Sequence, residues 1–246
     1  MRKIFVFLFA VIFVVSCEKA AEGTAALASS NGTGGSLARF TIIGNYLYLA
    51  DNNSLITYSI SNGSSPRETS RISVGFGIET IYPYKNNLFI GSRDGMFIYS
   101  VASPDKPILS GSARHVRSCD PVVANDSIAF VTLKGGNACG PAQDGLYIYN
   151  IKNIASPVQI HLMPLAKSTG LGLKDTTLFV AREDNGLEVI NVKNPLLPVK
   201  KLTIKDGIYY DVIALNNLLV CMVKTGILLY DISDVNNIKL VNTIAN

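Results

Sequence analysis

Five side chains stand at equivalent points of a repeated sequence, within one residue of register: Arg39, Glu79, Asp120, Thr169 and Asp211. Three of them are carboxylates. Carboxylates gathered in a concave site bind a cation or a cationic ligand, or act as an acid and base pair. The same residue types also hydrogen-bond neighbouring backbone amides and then serve the fold alone, and the residue types leave both uses open. Tyr209 and Tyr210, beside Asp211, are the aromatic side chains placed to line the same site. The metal question stays open here, and nothing in the sequence calls for a cofactor. No HExxH, CxxC, phosphate loop or nucleophile elbow occurs, and the only two histidines, His115 and His161, have no partner at ligand spacing.

The repeat that puts these five residues in register is a thirteen-residue phrase stated five times. It begins at Ser54, Gly95, Gly145, Gly186 and Gly226, a period of about 41 residues interrupted once by about nine extra residues in the third copy. Each period reads as four short strands. A first apolar run leads through a tight turn such as Lys85-Asn86-Asn87 to a second run such as Leu88 to Gly91. An Asp-Gly type turn precedes the phrase strand, and a Pro-containing loop precedes the last strand. In the phrase strands alternate positions do not divide into wet and dry, as where Tyr147 and Tyr149 interleave with Leu146 and Ile148. A sheet buried on both faces has that pattern.

Four-stranded antiparallel sheets repeated at this period are blades, and Leu37 to Asn246 has room for five. The expected fold is all-β, a five-bladed β-propeller. A solenoid needs shorter coils, and a sandwich needs no repeat. The first strands line the central channel, so the five register residues are expected at its mouth. No strand passes between the termini in this phasing, so the ring closes by face packing between blades one and five unless the blade boundaries are shifted from the repeat boundaries, and the sequence leaves that choice open.

The N-terminus reads as an export signal. Arg2 and Lys3 precede twelve apolar residues, too few to span a bilayer. Val14-Val15-Ser16-Cys17 then has the form of a lipobox, with Cys17 as the lipidated residue. Several acyl chains on one residue give stable membrane anchoring. Residues 18–36, rich in Ala, Gly, Ser and Thr, read as a flexible tether. In an oxidising compartment Cys119 and Cys139 form a candidate disulfide. One stands before the first strand of blade three and the other in its nine-residue expansion, on the same face of that blade. Cys221, in LLVCMV, reads as a small buried hydrophobe.

Composition narrows the partner. The formal charge is +4, with basic residues scattered singly, which argues against nucleic acid. Trp is absent, so composition does not favour glycan binding, and most of the 11 Tyr sit at repeated strand positions.

LEVIN at Leu187–Asn191 and ILLYD at Ile227–Asp231, each after Gly and each leading into a polar loop, resemble the LVIVD repeat. Longer strings (SLARFTI, GIETIYPY with NLFIGS, and SCDPVV followed by AFVTLKGGNACG) resemble lipid-anchored LVIVD proteins of Bacteroidetes-like bacteria. The resemblance implies a surface or periplasmic lipoprotein propeller, in the outer membrane of the cell envelope, and brings no established activity. It also implies a His just before Gly170, where this chain has Thr169. The expected function is a non-enzymatic binding module for an envelope or extracellular macromolecule. A hydrolase or lyase using Glu79, Asp120 and Asp211, with or without a divalent cation, and a structural envelope component are the alternatives.

Overall fold

The computed structural model describes residues 34–115, 121–136 and 140–245. These residues form five four-stranded antiparallel sheets, each built from four consecutive strands. Blade one holds β1 (Phe40–Ile43), β2 (Tyr46–Asp51), β3 (Ser54–Ser59) and β4 (Arg67–Ser73). Blade two holds β5 (Ile78–Tyr84), β6 (Asn87–Ser92), β7 (Gly95–Ser100) and β8 (Ile108–Arg114). Blade three holds β9 (Val122–Ala124), β10 (Ile128–Leu133), β11 (Gly145–Asn150) and β12 (Val158–Pro164). Blade four holds β13 (Leu171–Lys174), β14 (Thr177–Ala181), β15 (Leu187–Asn191) and β16 (Val199–Ile204). Blade five holds β17 (Tyr209–Leu215), β18 (Leu218–Val223), β19 (Gly226–Asp231) and β20 (Lys239–Ala245). The expected five-bladed β-propeller is the observed fold.

The phrase has a physical reason at each end. It opens on Gly in four of its five copies because the third strand there runs hard against the fourth: a Cβ on Gly95 would stand 2.6 Å from the Ala113 carbonyl oxygen, and one on Gly145 2.9 Å from that of Met163. Gly95, Gly186 and Gly226 also have positive φ, which a side chain disfavours. In blades three to five the third strand ends on Asn or Asp, and these side chains and those three residues further on accept backbone N–H groups two residues on. Asn150 and Asn153 do so in blade three, Asn191 and Asn194 in blade four, and Asp231 and Asp234 in blade five. Each blade carries one register shift between its third and fourth strands, a bulge that bends the outer strand and increases its twist.

The core lies between blades rather than within them. Tyr48 and Leu55 pack on Ile81 and Leu88 between blades one and two. Phe89 and Ile98 meet Val122 and Val131 between two and three. Phe130 and Ile148 meet Leu178 and Ile190 between three and four. Phe179 and Val189 meet Val212 and Cys221 between four and five. Cys221 is fully buried, as its apolar setting in the sequence implies.

Five blades in a packed ring would need five such interfaces, and the described residues supply four. No buried apolar cluster joins blade five to blade one. Phe40 and Ile42 on β1, and Leu215 and Met222 on blade five, remain exposed, Phe40 at 59% and Met222 at 47%. Among the described residues, face packing, one of the closures the sequence left open, does not join blades five and one. The seam is held instead at the channel by residues 34–38. Ser36, only 1% exposed, receives the Leu171 amide on its Oγ at 2.6 Å and donates to Asp211 Oδ1 at 3.2 Å. The Ala38 carbonyl accepts the Ile81 amide at 2.8 Å. One short segment thus ties blades two, four and five. Among the described backbone bonds only the Ala38 amide pairs within the segment, with the Gly35 carbonyl at 3.0 Å, and the segment's other buried polar groups are satisfied by the neighbouring blades.

Candidate functional site

The first strands begin on the same face as the turns between second and third strands, and the register residues divide there into two groups. Arg39 and Glu79 belong to one cleft of about 570 Å³ between blades one and two. Asp211 belongs to the latch, and Thr169 stands next to Gly170, which packs against Asp211. Asp120 lies outside the described residues, as do Cys17, the tether up to residue 33, Cys119 and Cys139.

In the cleft, Arg39 Nη2 donates to the Ile78 carbonyl at 2.8 Å and to Asn52 Oδ1 at 3.3 Å. Arg93, from the turn between β6 and β7, donates from Nε to Glu79 Oε1 at 2.9 Å, with both side chains about a quarter to a third exposed. Asn53, Phe76 and Gly77 complete the lining. Among the described residues the cleft therefore holds two guanidinium groups against one carboxylate. Arg93 and Asn52 were not singled out by the sequence, although their place in the turns between second and third strands was the signal that could have found them.

At the latch, Asp211 accepts from the Ser36 hydroxyl and the Val212 and Leu37 amides. Burial pushes its carboxyl up to about 6, against these hydrogen bonds, which favour the charged form. The fit is close: a Cβ on Gly170 would stand 2.6 Å from the Asp211 Cα. Gly170 donates its amide to the Tyr210 carbonyl at 3.0 Å. Thr169 donates from Oγ1 to the Ala181 carbonyl at 3.1 Å, and its own carbonyl accepts Thr132 Oγ1 at 2.6 Å. Tyr209 is not at the channel mouth but in the core. Its hydroxyl meets that of Tyr230 at 2.6 Å, and both bond Asp206. The sequence placed Tyr209 beside Tyr210 and could not say that alternation turns the first inward.

Four other acidic side chains are held in ion pairs. Glu183 bonds Lys134, Asp184 holds Lys167, Glu188 bonds Arg182 and Asp94 bonds Arg114. Among the described residues no group of three or more His, Cys, Asp or Glu side chains is arranged to hold a metal ion.

Residues 34–74 match the LVIVD repeat family. The match covers blade one and the segment that precedes it. No curated protein matches the chain. Similar solved structures include a protein of unknown function from Desulfotomaculum acetoxidans, with TM-score 0.67 and 11% identity, covering 82% of this chain and 67% of that one. AztD from Citrobacter koseri gives 0.59 and 13%, covering 84% and 64%. The computationally designed Ika8 protein gives 0.61 and 13%, covering 83% and 60%. The chain thus spans about two thirds or less of these structures, and the likeness is one of propeller fold.

Proposed function

We propose that the protein is a lipid-anchored, extracytoplasmic propeller that binds a macromolecule of the cell envelope or its surroundings without catalysing a reaction. The observation that carries this reading is the state of the carboxylates on the face where the first strands begin. Asp211 is committed to the latch and Glu79 to Arg93, so neither stands as an open acid or base, while the cleft beside Arg39 is accessible. A hydrolase or lyase built on Glu79 and Asp211 would need both carboxylates to face a common substrate. A repeat propeller presenting one rigid, polar face fits a recognition role, in which turns on a fixed scaffold make the contacts.

A photo-crosslinking residue in place of Asn52, in the turn of that face, is expected to trap one macromolecule in intact envelopes. The same residue in place of Leu240, on the outer strand of blade five, is expected to trap none. Equal trapping from both sites would exclude this face as the recognition surface. The address has its own test: Cys17→Ser should abolish labelling by a fatty-acid analogue, and persistent lipid labelling of that variant would remove the anchor from the proposal.

A further inference from the structure

We infer that the cleft between blades one and two takes an oxyanion, a carboxylate or phosphate, carried next to an apolar group. This rests on the reading that the face bearing the cleft is the recognition face, and it names the chemistry recognised there.

The charge balance in the cleft is the first observation. Among the described residues of the lining, Arg39 and Arg93 bring two positive charges and Glu79 one negative, a balance of one positive charge. The second is how the guanidinium groups are held. A guanidinium has five N–H donors in a rigid fork. Arg39 uses Nη2 alone, on Ile78 and Asn52, and Arg93 uses Nε alone, on Glu79. Among the described residues nothing accepts from Arg39 Nε or Nη1, or from either terminal nitrogen of Arg93. Each fork is thus fixed along one edge and open along another, so a ligand meets donors already oriented and loses less entropy in being held. Paired donors of this geometry suit planar carboxylate and tetrahedral phosphate oxygens, and bind neither cations nor neutral groups comparably. The third is the rim: Phe76, 54% exposed, lies in the lining beside these donors. An exposed aromatic at the edge of a polar site rewards an apolar group on the ligand.

A carboxylate ring would have suited a cation, which was one of the uses the sequence left open. The two arginines reverse the sign of the site that Arg39 and Glu79 share.

The test uses the full chain in detergent micelles with phenyl phosphate, phenylacetate, phenylacetamide and inorganic phosphate as probes, followed through the arginine side-chain Nε–Hε signals in NMR. Phenyl phosphate and phenylacetate should give saturable shifts at Arg39 and Arg93, phenylacetamide none, and inorganic phosphate weaker binding than phenyl phosphate. Arg93→Gln should weaken phenyl phosphate at least about tenfold, while Arg71→Gln, the same charge change on the outer strand of blade one, should leave it within about twofold. Glu79→Gln, which removes the competing carboxylate, should tighten it. Absence of saturable shifts with both aromatic anions overturns the inference, as does an equal loss in Arg71→Gln, which would mark diffuse attraction. Inorganic phosphate binding as tightly as phenyl phosphate overturns the apolar half. If the anion probes fail while a crosslink from position 52 persists, the recognition face stands and only its assigned chemistry falls.

Discussion

Phe130→Ala should lower the unfolding free energy by about 3–5 kcal/mol, while Phe40→Ala should change it by less than about 1 kcal/mol. Both are phenylalanines on strands of the propeller, and they differ in what covers them. Phe130, 1% exposed on β10, is packed between blades three and four against Leu178 and Ile190. Truncation there loses the transfer energy of the ring and leaves a cavity that two facing sheets cannot collapse to fill. Phe40 lies on β1 on the side that faces blade five, opposite Leu49 in the register of β1 and β2, and no cluster of that seam encloses it. Chemical denaturation of the two variants decides the point. A Phe40→Ala cost approaching that of Phe130→Ala would mean that blades one and five pack face to face in solution, and that the seam is closed by a core and not by the latch.

The contrast also marks what the sequence could reveal. The blades were legible because each short apolar run and turn is a local constraint repeated five times, and the phrase-opening Gly four times, and repetition separates constraint from accident. Gly95, Gly186 and Gly226 show in sequence because a Cβ there is barred by the chain's own next strand. The seam was illegible because Phe40 and Ile42 have the same apolar character as the buried first-strand residues Ile78 and Ile81. Their exposure depends on how far the ring turns, which no local pattern encodes. The site was half legible for a related reason. Register placed Arg39 and Glu79 on one face, but the sign of the cleft is set by Arg93, which comes from a different turn. Asp211 was found as a polar residue at the right point, and its partner Ser36 is 175 residues away in sequence. Such pairings follow from ring geometry alone.

Stability should rise as the pH is lowered from about 7 to about 5, through the latch. Asp211 in the folded protein titrates at about 6, against an ordinary value of 3.8, because burial disfavours its charged form. The folded state therefore binds the proton more tightly than the unfolded chain. Linkage then gives a contribution fully present below about 4, lost progressively as the pH rises through about 6, and amounting to roughly 3 kcal/mol between those limits. This sign is opposite to that of the surface carboxylates. Lys85 holds Asp126 and Lys167 holds Asp184 below the usual range, so their contributions are lost only at still lower pH, outside this window. Asp211→Asn removes the titration while keeping an oxygen able to accept from Ser36 and Val212. Thermal unfolding between about pH 5 and 7.5 should show a slope in the native protein and a much flatter profile in Asp211→Asn. The latch also predicts where the extra protection appears: amide exchange at Leu171, whose N–H is held by Ser36 Oγ, should slow as the pH falls, after correction for intrinsic rates. A native profile that rises with pH across this window, or an Asp211→Asn variant that keeps the native slope, would show that Asp211 is not the buried group that holds blades four and five to the segment before β1.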